Sequence, residues 1–448
     1  MAWERRPETN GGGVRPAILA RKDVGRNDHV LFRIDNYPQI EAAYGGEVAQ
    51  RAAAHVAKAL AEVLGDAGRV TLGAGGWLAA LLWDAFPLGA PFTGADEHFL
   101  QWVCAAMLSL PMEYGGEHVH IGLSANCLPV ETESETKVWP GDVATMSAGS
   151  RLAPVHGEPM TEMRGWAERY RADMAVAAGF FALMAGERLM LTWQTVRNEQ
   201  DSNLILYHEC LLRGLGIDGD GDLRDDLRPV LERLGFVHLL DRHIMSQVVN
   251  ELEASSRAIL GVRISAQSAT LDNLWKEIET RLGMRRDIAV RLVIEIAPTA
   301  STRPPADIQH FVSRMRHLGC RIAFAGFGTD CMPVRRSMAL APDIIKVDGF
   351  FVRRAAEAKH GDAMLRHIVG LASAIARNVV LEGVETPEQS RRALAAGAIW
   401  QQGAHLGRAS VIRPWVSERG GVDPGMAAMR PIPVRFCTLS GRSMTRPV

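Results

Sequence analysis

The chain has 448 residues, with 50 basic and 51 acidic side chains and a formal net charge of −1. That balance gives no bulk electrostatic footprint for a nucleic-acid polymer, and an apolar fraction of 47% in a chain this long is that of a soluble globular protein with two cores. The 6 cysteines form no CxxC pair, so a zinc or dithiol site is not indicated, and free thiols in a reducing cytoplasm are expected.

The opening MAWERRPETNGGGVRP has no apolar signal-peptide core, and residues 1–26 read as a flexible arm. His29–Asp35 reads as a buried strand and Glu47–Leu64 as an amphipathic helix. Arg69–Leu72 and Trp77–Trp83 flank GAGG and read as a hairpin. A helix near Glu97–Leu110 and a strand at His118–Leu123 complete an α+β domain over residues 27–130. Residues 131–186 read as a linker and connecting helix. The apolar stretch from Met174 breaks at Glu187 and Arg188, short of the ~20 residues needed to cross a bilayer, so no transmembrane segment is expected.

From residue 187 to 415 the rhythm becomes β/α. The strands are LMLTWQTV, LILYHECL, AILGVRIS, RLVIEIA, CRIAFAGFG, PDIIKVD, VVLEGVE and AIWQQGA, with helices such as DRHIMSQVVNELEAS between them. Repeated units of this length imply a parallel sheet or a barrel, and the number of strands favours a TIM-like (β/α)8 barrel, giving an α/β fold preceded by the α+β domain. Residues 416–448 show no periodicity and read as an irregular tail.

Barrels of this kind gather chemistry at strand carboxyl ends. Glu209, Glu295, Lys346, Glu382 and Gln402 fall there, with Arg213 nearby. Clustered carboxylates hold hard cations or tune a base, and an arginine beside them suits a phosphate. One such residue alone is as well explained by a surface ion pair; the set is not. DGDGD at Asp218–Asp222 hints at an EF-hand loop, but Leu223 and Pro229 stand where Gly and Glu are needed, so it reads as a solvated loop.

In these motifs the chain resembles the EAL family of cyclic di-GMP phosphodiesterases. Glu209-Cys210-Leu211-Leu212-Arg213 is similar to the Glu-Ala-Leu-Leu-Arg signature, Gln194-Thr195 to the QP pair, Glu295–Ala297 to EIT and Lys346–Val352 to the KIDxxFV strand. Glu382–Thr386 matches EGVET, and Gln402-Gly403 resembles the late QG. The resemblance implies a cyclic di-GMP pocket contacted by Gln194, Glu209, Leu211, Arg213 and Gln402.

The departures imply loss of catalysis. The metal-binding asparagine of VNLS is Arg263, the paired aspartates of DDFG are Ala325 and Gly326, and the glutamate that braces the following loop is Pro298. No metal and no catalytic residue are therefore expected, and Arg263 is expected to fill the metal space and pair with Glu209 or Glu295. The family's QGYxFxxP pattern reads Gln402–Ala409 without its aromatic and proline, which weakens the guanine pocket. A cyclic di-GMP receptor and a nucleotide-independent scaffold for a protein partner remain open, as does a homodimer. The alternative is a residual Mg2+- or Mn2+-dependent phosphodiesterase.

The first domain resembles a GGDEF diguanylate cyclase domain. Arg33 replaces a metal-binding aspartate in RIDNYPQIEAAYGG, Glu41-Ala42 replaces Asn-Asp, and the signature reads Gly75-Gly76-Trp77-Leu78-Ala79 without either acid. The upstream inhibitory RxxD has reversed charges, Asp66 to Arg69. This implies an inert, vestigial cyclase domain.

Overall fold

The computed structural model describes residues 28–65, 68–82, 100, 103–128, 165–186, 188–214, 227–271, 275–297, 305–329, 334–357 and 360–416. The expectations for the arm, most of the linker, Asp218–Asp222, Pro298 and the tail beyond residue 416 lie outside these residues. The chain divides into two compact units, and the division passes through one helix at Phe181 and Ala182.

The amino-terminal unit is an antiparallel sheet of β1 (Asp28–Ile34), β2 (Gly68–Leu72), β3 (Trp77–Leu82) and β6 (Leu123–Leu128), in the order β2-β3-β1-β6. A small hairpin, β4 (Met112–Tyr114) and β5 (Glu117–Val119), precedes β6. Helices α1 (Tyr37–Tyr44) and α2 (Gly46–Leu64) follow β1. On α2, Val48, Ala49, Ala52, Val56 and Leu60 recur at helical spacing, and all are buried with Phe32, Ile34 and Leu78. The β2–β3 turn depends on Gly76, whose φ is 81° and where a Cβ would stand 2.7 Å from the Tyr37 ring. The GAGG run is thus a hairpin turn. Helix α3 (Trp166–Ala185) lies against this unit along its first part: Asn36 Nδ2 donates to Tyr170 Oη at 3.2 Å and Arg171 Nε donates to the Ala43 carbonyl at 2.8 Å.

The second unit is a closed eight-stranded barrel, ordered β10-β11-β12-β13-β14-β7-β8-β9. The strands are β7 (Leu189–Asn198), β8 (Ile205–Gly214), β9 (Leu260–Ser265), β10 (Leu292–Ala297), β11 (Arg321–Phe327), β12 (Ile344–Val347), β13 (Asn378–Leu381) and β14 (Trp400–Gln401). Helices α4 (Leu227–Leu234), α5 (Val237–Ala254), α6 (Lys276–Met284), α7 (Pro305–Leu318), α8 (Val334–Leu340), α9 (Phe350–Glu357), α10 (Gly361–Ser373) and α11 (Pro387–Ala395) connect the later strands.

Two details correct the sequence expectation. The barrel is not wholly parallel: β7 runs antiparallel to both neighbours, because a short turn joins it to β8 with no room for a crossover helix. In KVDGFFV only the first residues are strand; Phe350 opens α9, where Phe351, Val352 and Ala355 are buried at helical spacing. Among the described residues no helix is long and apolar enough to cross a membrane.

Inside the barrel, Val196, Tyr207, Val293, Ala323, Ile344 and Val380 form one buried cluster. These are the inward positions one alternation below Gln194, Glu209, Glu295, Ala325 and Lys346 on the same strands and below Glu382 directly after β13, so the polar layer rests on an apolar floor.

Candidate active site at the barrel mouth

Alternation decides which side chains enter the barrel. On β8 the inward face carries Tyr207, Glu209, Leu211 and Arg213; on β9 it carries Gly261 and Arg263; on β10, Glu295; on β12, Lys346. Strand pairing sets Gln194 beside Glu209 and Arg263 beside Glu295.

Lys346 is the hub. Its side chain is 0% exposed, and Nζ lies 2.7 Å from Glu209 Oε2, 2.9 Å from Glu295 Oε2 and 2.9 Å from Glu382 Oε1. Gln402 Nε2 donates to Glu209 Oε2 at 2.6 Å and to Gln194 Oε1 at 3.1 Å, and Gln194 Nε2 donates to the Gly407 carbonyl. Glu209, Glu295, Lys346, Glu382, Gln402 and Gln194 therefore form one network.

Arg263 enters the same network, with a different partner from the one expected. Nη2 donates to Glu382 Oε1 at 2.7 Å. Nε stands 3.4 Å from Glu209 Oε1 and 3.7 Å from Glu295 Oε2, as ion pairs without a hydrogen bond. The strand places the guanidinium between the acids, but its reach carries the terminal nitrogen past Glu209 and Glu295 to the far wall. The backbone beneath it is braced: Arg228 Nη2 donates to the Arg263 carbonyl at 3.2 Å, and buried Asp241 accepts from Ser265 N at 2.7 Å and Ser268 Oγ at 2.6 Å. Sequence reading missed this support, although a polar pair on α4 and α5 facing a strand end is its local sign.

Burial and charge act against each other here. Burial alone would raise the Glu209 carboxyl, but Lys346 and Arg263, with hydrogen bonds from Lys346 and Gln402, hold it at about 2. Glu382 is likewise held low by Lys346 and Arg263 despite its burial. Glu295 is raised, first by burial and then by the Glu209 charge. Lys346 is raised well above the usual lysine range, because its three carboxylates outweigh its desolvation.

Sequence reading also missed Tyr207. Its ring fills the space left by Gly261, where a Cβ would stand 2.5 Å from the ring and 3.2 Å from Glu295 Oε1. The spacing of Tyr207 and Glu209, two residues apart on one strand, was the available signal. Leu211 and Arg213 continue along β8 beyond the network and are half-buried. Because β8 pairs with β9 only from His208 to Cys210, Glu209 sits mid-strand rather than at a strand end, and the strand runs on past it as a ribbon with β7.

These donors do not fit a pair of divalent cations. Glu209 Oε2, Glu295 Oε2 and Glu382 Oε1 are already held by Lys346, and a guanidinium stands against Glu209 Oε1. Ala325 is buried and offers no side-chain oxygen, and Gly326 adopts a φ of 67° at a register shift between β11 and β12. Hard cations need several anionic oxygens at short range, and a fixed positive charge among them opposes binding. Among the described residues there is no group of three or more His, Cys, Asp or Glu arranged to hold a metal.

A closed barrel with a carboxylate–lysine cluster at its mouth defines a barrel protein built around a site for polar, charged chemistry. The EAL domain family matches residues 181–409, just over half of the chain, and the chain belongs to that family. It is 29% identical over 224 residues to the probable cyclic di-GMP phosphodiesterase PdeA of Escherichia coli, covering 49% of this chain and 30% of PdeA. It is 30% identical over 112 residues to the cyclic di-GMP phosphodiesterase RocR of Pseudomonas aeruginosa, covering 25% of this chain and 29% of RocR. The chain thus spans less than a third of the length of these curated relatives. Among solved structures it is similar to the FimX EAL domain of Pseudomonas aeruginosa bound to c-di-GMP, with 21% identity, TM-score 0.43 and coverage of 52% of this chain and 96% of the other.

In the amino-terminal unit, the two residues singled out by sequence, Arg33 and Trp77, lie close together. Arg33 Nε pairs with Asp35 at 2.8 Å and its guanidinium lies 5.8 Å from the Trp77 ring centre; Ser124 Oγ donates to Asp35 at 2.5 Å. Burial, the leading effect, raises the Asp35 carboxyl against the pull of Arg33.

Proposed function

We propose that this chain is a non-catalytic EAL-type signalling protein whose barrel mouth is organised by internal cations instead of metal ions, serving as a cyclic di-GMP receptor or as a scaffold for a protein partner. The observation that carries this reading is Arg263, hydrogen-bonded to Glu382 and 3.4 Å from Glu209. Two-metal hydrolysis requires anionic ligands that fix both ions and acidify the attacking water. Here a guanidinium and Lys346 neutralise the acids, and positions 325 and 326 carry no side-chain ligand atoms. The half-exposed Gln194, Leu211 and Arg213 at the mouth favour the receptor form. A residual phosphodiesterase would have to displace Lys346 and Arg263 from Glu209, Glu295 and Glu382 to admit Mg2+ or Mn2+.

In the same reading the amino-terminal unit is a vestigial GGDEF-like domain that makes no cyclic di-GMP and acts by docking. Arg33 and Trp77 support this, since a cation stacked on an indole replaces the acids a cyclase needs for Mg2+. The test is calorimetric titration with cyclic di-GMP, with and without Mg2+ or Mn2+, followed by product analysis. No hydrolysis is expected; metal-dependent formation of the linear dinucleotide, abolished by Glu209→Ala, would overturn the reading.

A further inference from the structure

The two cations of the mouth are not equivalent. Lys346 is 0% exposed and spends its donors on three carboxylates. Arg263 is 33% exposed at the side chain, and although Nη2 and Nε face Glu382 and Glu209, Nη1 makes no hydrogen bond among the described residues. We infer that Arg263 is itself a ligand-binding residue: its guanidinium, standing among Glu209, Glu295 and Glu382, donates through Nη1 to a phosphodiester oxygen of a cyclic dinucleotide. The inference rests on the non-catalytic reading above and adds to it the group that replaces the metal in recognising the anion.

Three observations converge on this role. The guanidinium is already oriented, by Glu382 at one nitrogen, by the Glu209 carboxylate beside Nε, and through its backbone by Arg228. A donor held in place before binding loses little freedom when the ligand arrives. The chemistry also matches, because a guanidinium gives a phosphodiester a charge-assisted hydrogen bond while keeping its charge at every accessible pH. Finally, the inward face of β8 continues from Glu209 to Leu211 and Arg213 in the direction of the opening, so a second guanidinium stands further along the same wall for a ligand with two phosphodiesters.

The predicted behaviour differs from that of a metal-dependent site. Cyclic di-GMP should bind the full chain in EDTA, and Mn2+ should not tighten it. Arg263→Gln should weaken binding by about tenfold or more, the size of a lost charge-assisted hydrogen bond. Glu382→Gln should tighten binding severalfold, because the amide oxygen still accepts from Nη2 and keeps the guanidinium oriented while the negative charge that opposes the phosphodiester is removed. Calorimetry on these proteins in EDTA, with linear dinucleotide assayed in parallel tubes containing Mn2+, decides the matter. Wild-type protein that fails to bind in EDTA, or an Arg263→Gln protein that binds as tightly as wild type, overturns the role of Arg263 while leaving the non-catalytic reading in place. Linear dinucleotide in the Mn2+ tubes overturns the non-catalytic reading itself. Should Arg263→Gln not fold, Glu382→Gln decides alone: tighter binding supports the inference, and equal or weaker binding refutes it.

Discussion

Arg263 and Glu382 stand on opposite sides of the barrel, four places apart in the ring of eight strands, and are joined by a hydrogen bond of 2.7 Å. Lys346 and Glu209 are also four places apart and meet at 2.7 Å. Two ion pairs thus cross the barrel mouth on separate diameters and tie strands that share no backbone hydrogen bonds. In a low-dielectric layer above an apolar floor, such a brace is specific in geometry and costly to break on one side.

Removing Arg263 should therefore expose the imbalance. Arg263→Ala is expected to destabilise the barrel by about 3 kcal/mol, the lower end of the range for a broken buried pair, because part of the side chain reaches solvent. Adding Glu382→Gln should restore part of the loss. Denaturant melts of the single and double variants measure the coupling, and strictly additive losses would show that the pair does not act as a brace.

Lys346 should matter more. Lys346→Met leaves Glu209, Glu295 and Glu382 with one guanidinium among them, and a loss of ~3–5 kcal/mol is expected. A melting temperature within a degree of wild type would contradict the hub described here.

Gly261 is a packing requirement. Gly261→Ala would put a methyl 2.5 Å from the Tyr207 ring, so the strand or the ring must shift. The expected cost is ~1–3 kcal/mol, read from thermal unfolding. An unchanged midpoint would mean that the ring moves freely in its slot.

The support under β9 should be sensitive to pH. Burial, acting against Ser265 and Arg228, raises the Glu232 carboxyl to about 7. The folded state then holds a proton that the unfolded chain has released, so stability falls as pH rises from about 4.5 to about 7. Glu232→Gln should flatten that part of the stability–pH curve and stabilise the protein above pH ~7. A curve of the same slope in the variant would assign the dependence to another group.

The amino-terminal unit should yield no cyclic di-GMP from GTP when the full chain is assayed with Mg2+. This follows from the proposed reading of the unit, in which Arg33 beside Trp77 puts a cation where a cyclase needs acids. Product above the no-protein control would refute this.

The barrel was legible in the sequence because eight short apolar runs separated by amphipathic stretches allow few closed arrangements, and Glu209, Lys346, Glu382 and Gln402 announce themselves by type and spacing. Three features went unread. The reversal of β7 was one, although the connection from Asn198 to Ile205 is too short for a crossover helix and was its signal. Tyr207 and Gly261 form a complementary pair across strands, and no single-strand pattern encodes a partner. The support from Arg228 and Asp241 comes from helices packed on the outside of β9.

Which ionisable groups enter the barrel is readable from the sequence, because alternation along each strand sets the inward faces, and so is the presence of Ala325 and Gly326, without side-chain oxygens, on β11. How those groups pair follows only from the closed ring. Closure of the ring brings β9 opposite β13, so the Arg263 side chain spans the opening to Glu382 instead of stopping at its neighbour Glu295. A charge in a closed barrel takes the partner that geometry and hydrogen bonding offer across the space, and that partner need not be the nearest in sequence or on the adjoining strand.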